Sequence, residues 1–340
     1  SRESQKIEFV PLDHRLQLPE GEYSYVLQDW CQVLDVEHAF ARAAETLQTI
    51  LGMTVPVDSL ERMSRQMAES VRGFRLSRPK PPAREEGELV VATADNKGVP
   101  MRRPRAEKKR PGLHRKKGEK ANKKKMATVG AVYTVAPKKR TAEEVVGALF
   151  GDRRPTGRKE DQPTAQHKRV WSSLNVEEEP HTGQLEVFEW MQSEHARRNP
   201  NGDKVTVCIM DGQQTLWEDR QLKLPLENVV EILDLMHVLP RLWQAAHLFH
   251  REGSDEAEVF VRERLLRVLE GEVGYVIGGL RQMGTKRQLR GAKRESLRCI
   301  CQYLENNRDR LHYDAYLAAG YPIASGVIEG ACRHLVKDRM

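Results

Sequence analysis

Apolar and polar positions follow two different periods along the chain, and the switches between them predict its elements. From residue 22 to 51 the spacing is helical: Tyr25, Val26 and Trp30 are followed by Ala39, Phe40, Ala43, Leu47 and Leu51, which predicts two helices joined near Asp35. Gly52 ends the second, and a third begins near Pro56 with Leu60, Met63, Met67 and Val71 on one face. The period then shortens. Leu89, Val90, Val91, Ala92 and Ala94 form a short apolar run that reads as a buried strand and stops at Asp95. Asn96-Lys97-Gly98 supplies the chemistry of a hairpin turn, with Val99 to Arg103 as the return strand, apart from Pro100. Residues 126–137 alternate as a second strand able to pair with the first. Residues 141–150 open with a Thr-x-x-Glu capping box, 151–168 read as a linker loop, and 184–198 as another helix. Val205, Val207, Ile209 and Met210 make a strand that ends in Asp211-Gly212. Val229, Val230, Ile232 and Leu233 make one that ends in Asp234, with His237 three residues on and a helix beyond Pro240. Residues 241–318 are helical throughout, broken by glycines at 278–279 and 284. After a loop at Gly320 and Pro322, Ser325 is placed to cap a last helix with Ile328, Cys332, Leu335 and Val336 on its apolar face and Glu329 and Arg333 beside them.

Composition changes this picture in two respects. The 340 residues suffice for two or three domains, and 39% hydrophobic with 31% charged residues, with no apolar stretch of about 18 residues, excludes membrane insertion. Five cysteines with one C-x-C pair and no C-x-x-C favour free thiols in a reducing cytosol. The net charge of +7 is distributed unevenly: residues 97–125 hold 14 Lys or Arg against Glu107 and Glu119, a local +12 that leaves the remainder at −5. Interrupted by Pro104, Pro111, Gly112 and Gly118, this block reads as an exposed loop that attracts phosphate, and nucleic acid is its natural partner. Lys97, Arg102, Arg103, Lys108, Lys109 and Arg110 are candidate DNA contacts. So are Arg62 and Arg65, which the third helix would expose, with Gln66, to a groove as in a helix-turn-helix module. The chain opens at Ser1 without methionine, and a longer parent protein is expected.

The chemistry lies in the acids that end the strands. Strand ends are where an α/β sheet gathers its ligand-binding residues, so Asp95, Asp211 and Asp234 can share one sheet edge. Of the second and third, Asp211 is the better metal ligand, because Gly212 lets the backbone turn sharply there while Leu235 and Met236 read as continued core. Asp-x-x-His at 234–237 looks like a metal pair, but with no second histidine at ligand spacing His237 reads as auxiliary, alongside Asp234.

The stretches FVPLDHRLQLPEGEYS, VATADNKGVPMRR, ATVGAVYTVAP, MDGQQTLWE, ILDLMHVLPRLWQAA and GYPIASGVIEGACRHLVKDRM span nearly the whole chain, and the last is the most distinctive. Together they resemble the DDE transposases of bacterial insertion sequences, specifically the ISKra type related to mutator-like elements. Two features depart from that family: no cysteine-rich segment precedes the PLD stretch, and the last helix stops at Asp338-Arg339-Met340. The resemblance implies an α/β fold with an RNase H-like mixed-sheet core. A helical DNA-binding domain would occupy 1–86, the first part of the core 87–240, an α-helical insertion 241–319, and the last core helix 320–340. It implies metal-dependent DNA cleavage and strand transfer by Asp95, Asp211 and Glu329 as catalytic and metal-binding acids, with Arg333 facing the scissile strand. Two magnesium ions, replaceable by manganese, suit such carboxylates. The implied partners are double-stranded DNA, as element terminal repeats and target, and further copies of the chain, in the bacterial cytoplasm at the nucleoid. An RNase H-like nuclease without strand transfer, or a domesticated DNA-binding protein without catalysis, are the alternative readings.

Overall fold

The computed structural model describes residues 11–18, 22–101, 124–152, 163–175, 182–224 and 228–336. Its described residues form thirteen helices and one five-stranded mixed sheet, in two compact units that divide between Pro79 and Lys80. Arg102, Arg103, Lys108, Lys109 and Arg110 lie outside the described residues.

The first unit is helical: α1 (Pro11–Arg15), α2 (Tyr25–Glu37), α3 (Phe40–Leu51) and α4 (Val57–Ser77). Ser24 caps α2 by accepting from the Leu27 amide, and Gly52 ends α3 in the left-handed conformation at φ 67°. Leu27, Cys31, Ala43, Leu47, Val55, Leu60 and Met63 make its core. Three details differ from the periodic reading. The break between α2 and α3 falls at His38–Ala39 rather than Asp35. Tyr25, Val26 and Trp30 point outward, because Leu27 and Cys31 take the packed face of α2. Met67 and Val71 are exposed, because the buried residues of α4, Leu60 and Met63, are confined to its first two turns. Arg62, Arg65 and Gln66 are exposed on α4, with Arg65 paired to Glu61 at 3.0 Å.

In the second unit, β1 (Leu89–Pro100) and β2 (Lys124–Val135) precede α5 (Ala142–Phe150), β3 (Gln166–Leu174) and α6 (Thr182–Arg198). β4 (Thr206–Met210), α7 (Gln214–Lys223), β5 (Val229–Leu233) and α8 (Leu235–Phe249) follow, then α9 (Asp255–Leu269), α10 (Val273–Lys286), α11 (Gly291–Asn306), α12 (Tyr313–Ala319) and α13 (Gly326–Leu335). The strand order is β3-β2-β1-β4-β5, antiparallel across β3, β2 and β1 and parallel across β1, β4 and β5.

Alternation along β1 separates two cores. Val90, Ala92 and Ala94 pack with Val187, Phe188 and Met191 of α6 and Leu216 and Trp217 of α7; Leu89 and Val91 pack on the opposite face with residues of α8 and the helices after it. Gly130 on β2 permits the approach of α6, since a Cβ there would lie 2.5 Å from Val187 Cγ1. On the other face α13 sets Ile328, Cys332 and Val336 against Ala127, Val129 and Ala131 of β2. The Thr141 capping box forms, with Thr141 and Glu144 satisfying each other's amides.

Two strand assignments are corrected. Asn96-Lys97-Gly98 makes no turn: β1 runs straight through it, because β2 supplies a partner at every position, Asn96 opposite Thr128 and Gly98 opposite Met126. The segment read as a linker ends in the first residues of β3, whose run of His167, Lys168 and Arg169 hides its strand character; buried Arg169 is tolerated by its 3.1 Å pair with Glu194.

Candidate active site

The parallel register assembles the site. Ala94 pairs with Met210, and Met210 with Leu233, so the next residue on each chain segment, Asp95, Asp211 and Asp234, stands at one level of three neighbouring strands. By alternation, each lies on the face opposite α6 and α7. Inter-strand spacing of about 4.8 Å makes three carboxylates at one level near neighbours. Asp95 and Asp211 stand with His237 so that one ligand atom from each lies within 4.8 Å of the others. Glu329 is not in that group. It sits exposed in the first turn of α13, close enough for its charge to act on Asp234, Lys97 and Cys332.

Each acid is held differently. Asp95 is 5% exposed, in the middle of β1 rather than at its end. Its Oδ2 meets Lys97 Nζ at 2.7 Å, the two side chains sharing a face because they are two residues apart on a strand, and Cys332 Sγ lies 3.6 Å from the same oxygen. Burial pulls the Lys97 pKa down, but the hydrogen bond and charge of Asp95 outweigh it and leave the ammonium above its ordinary value. Burial likewise lifts the Cys332 thiol to about 12, reinforced by the Asp95 charge, so it stays protonated.

Asp211 follows the end of β4 and accepts the Gln213 amide at 2.8 Å, while its carbonyl accepts Trp217 Nε1 at 2.7 Å. Burial raises its pKa, Asp95 adding to the rise and His237 opposing it. Gly212 is required for a different reason from the expected sharp turn. Its φ is not in the left-handed region, and a Cβ would meet Tyr303 Cε2 of α11 at 2.4 Å and Asn307 Nδ2 at 2.9 Å. Close approach of α11, not backbone freedom, excludes a side chain.

Asp234 is 1% exposed and works as a girder. It is the N-cap of α8, which therefore starts at Leu235 and carries Pro240 inside it instead of beginning beyond it. One oxygen accepts the Met236 amide at 2.9 Å and the other the Ser325 amide at 3.3 Å, while Leu235 N donates to Ile323 O at 3.0 Å. The loop entering α13 is thus tied to the end of β5. Ser325 precedes α13 as its N-cap but makes no side-chain capping bond. Burial raises the Asp234 pKa against these hydrogen bonds. His237, in the first turn of α8, has its Nδ1 3.9 Å from Asp234 Oδ2 and buried, with no hydrogen-bond partner among the described residues. Arg333 is exposed on α13 one turn beyond Glu329.

A polar network backs the site across the sheet. Asn96 Nδ2 donates to Gln184 Oε1 at 2.8 Å and to Gln213 Oε1 at 3.2 Å, Thr128 Oγ1 donates to Asn96 Oδ1, and Gln184 Nε2 donates to Asp219. It locks β1, β2, α6 and α7 around the residues next to Asp95 and Asp211. No sequence signal singles out Gln184, which is read only as part of a helix; Asn96 was visible but assigned to a turn.

No protein-family model matches the chain, and no curated protein matches it. Among solved structures, the Drosophila P element transposase strand transfer complex is similar at a TM-score of 0.33 and 12% identity, over 88% of this chain and 68% of that one.

Proposed function

We propose that this chain is a DDE transposase acting on double-stranded DNA, of the insertion-sequence type that its motifs resemble, with an RNase H-like core. The observation that carries the reading is the assembly of Asp95 and Asp211, at one level of parallel strands, with His237 of α8, their ligand atoms within 4.8 Å of one another and next to the helix that bears Glu329. Such a cluster is costly unless positive charge joins it, because buried like charges repel. Lys97 already serves as a cation at Asp95, and the buried Nδ1 of His237 lacks a hydrogen-bond partner.

These residues fit divalent ions. Asp95 and Asp211 offer hard oxygen donors suited to magnesium, and an imidazole among them extends the set to manganese. Glu329 and His237 would complete the set, while Asp234, its oxygens committed to Met236 and Ser325, positions α8 and the start of α13. Bound divalent ions in such sites activate a water or 3′-hydroxyl and stabilise the leaving oxygen of a phosphodiester. The chain's own part is to hold its acids in place: Lys97 Nζ pairs with Asp95 Oδ2 at 2.7 Å, the polar network fixes β1 against α7, and Arg333 extends from α13 toward phosphate. Exposed Arg62 and Arg65 on α4 are assigned to recognition of element ends, with several copies of the chain acting together on DNA.

The test is strand transfer by the full protein with cognate ends in Mg²⁺ or Mn²⁺. Asp95→Asn, Asp211→Asn and Glu329→Gln should each lower cleavage by orders of magnitude with DNA binding kept. Cleavage without joining would make it a nuclease, and metal-independent activity would overturn the reading.

A further inference from the structure

A second basic surface lies in the helical part of the second unit, entirely within described residues. Residues 281–298 hold seven Lys or Arg and one acid, a net +6 in 18 residues, and all seven bases are exposed. Arg281 reaches Glu305 at 3.7 Å and Arg298 pairs with Glu295 at 2.7 Å. Lys286, Arg287, Arg290, Lys293 and Arg294 make no ion pair among the described residues.

The two helices beneath them are closely packed. At Gly284 of α10 a Cβ would lie 2.4 Å from Leu297 Cδ2 of α11, so the two helices touch there, and Leu280, Leu297, Ile300 and Cys301 are buried between them and their neighbours. Arg294 and Arg298 stand four residues apart on one face of α11, about 6 Å at 1.5 Å per residue, and Arg290 is the residue that precedes the helix. Beside it, Arg281, Arg294, Arg298 and Gln302 line a cleft of about 430 Å³ floored by Leu289 and Leu297. No large hydrophobic residue of 281–298 is exposed, so the surface lacks the apolar anchor by which basic helices enter a membrane interface. Like charges held along one helical hairpin, five of the seven without an ion pair among the described residues, match a partner whose negative charges are also regularly spaced.

We propose that the α10–α11 hairpin binds the phosphate backbone of duplex DNA, alongside the DNA that reaches the carboxylates. The proposal rests on the DNA-processing reading above. Its geometry comes from α11 itself, which carries Arg294 in its first turn and whose far end brings Tyr303 and, just beyond it, Asn307 against Gly212, next to Asp211. Thirteen residues of helix separate Arg294 from Asn307, about 20 Å at 1.5 Å per residue, or about six base pairs at 3.4 Å. The hairpin would therefore hold flanking duplex about half a turn from the reacting phosphate.

The experiment measures binding of a 40-base-pair duplex to the full chain by fluorescence anisotropy between 50 and 200 mM NaCl. It compares Arg290→Gln/Lys293→Gln/Arg294→Gln with a control of equal charge loss, Lys80→Gln/Lys139→Gln/Arg251→Gln, whose three sites are also exposed. None of the six makes an ion pair among the described residues, so both variants should fold, and circular dichroism checks this. The hairpin variant should lose about 2 to 3 from the magnitude of the log–log salt slope, about 0.9 per phosphate contact, with the control near wild type. Equal slopes for hairpin variant and wild type, or equal losses in both variants, would overturn the proposal. So would polyglutamate of matched charge binding as tightly as the duplex, which would assign the surface to an acidic protein. Metal-dependent cleavage, measured separately on the wild type, keeps the two readings apart: a reduced slope without any cleavage supports the hairpin and sinks the catalytic reading, and cleavage with an unchanged slope does the reverse.

Discussion

Asp234→Ala should destabilise the fold and Asp211→Asn should not, although the two acids stand at the ends of neighbouring strands. Replacing Asp234 removes the acceptor for Met236 N at the start of α8 and for Ser325 N at the entry to α13, in a position 1% exposed. Loss of an N-cap costs about 1 kcal/mol and stranding a buried amide about 1–3 kcal/mol. Relief from burying a carboxylate works against that loss, since burial already raises the Asp234 pKa. The net expectation is about 2–3 kcal/mol of destabilisation, seen as a urea midpoint lower by about 1 M in metal-free buffer at pH 7. Asp234→Asn, which keeps one acceptor, should fall between this variant and wild type. Asp211→Asn keeps the acceptor for Gln213 N while removing a desolvated charge that Asp95 repels, so it should be at least as stable as wild type. Urea titrations followed by circular dichroism in EDTA, with slopes checked for two-state behaviour, decide the matter. An Asp234→Ala protein as stable as wild type, or an Asp211→Asn protein clearly less stable, would refute the division into girder and ligand.

Two further outcomes follow from the same geometry. Because the Asp211 pKa is raised in the folded state, that state binds more protons between the ordinary carboxylate range and the raised value; metal-free stability should fall as pH rises through that window and level off above it, and Asp211→Asn should flatten this part of a melting-temperature profile. Gly212→Ala should cost about 1–3 kcal/mol by forcing a methyl into Tyr303 and Asn307, and the cost should shrink in a Tyr303→Ala background, a coupling that a double-mutant cycle reads directly.

Much of the helical framework was legible because long segments with period 3.6 and clear caps leave few alternatives, as at Thr141 and Gly52. Asp95, Asp211 and Asp234 could be seen because each closes an apolar run. What escaped was set by partners distant in sequence. Asn96-Lys97-Gly98 has the local chemistry of a turn, but β2 pairs with it residue for residue, and tertiary pairing overrides local preference. β3 carries three consecutive basic or imidazole side chains, and the buried carboxylate of Glu194, distant in sequence, helps make Arg169 admissible there. His237 read as peripheral because one histidine in sequence has no visible partners; Asp95 reaches it across more than a hundred residues.

The common level of Asp95, Asp211 and Asp234 also restricts how such a protein can change. Side chains along a strand alternate faces, so a single inserted or deleted residue between Thr206 and Asp211 would turn Asp211 toward α6 and carry it away from Asp95. The ladder therefore acts on these strands as a reading frame acts on a gene: length can drift freely in the connections, while within the strands only changes that preserve parity keep the chemistry in phase.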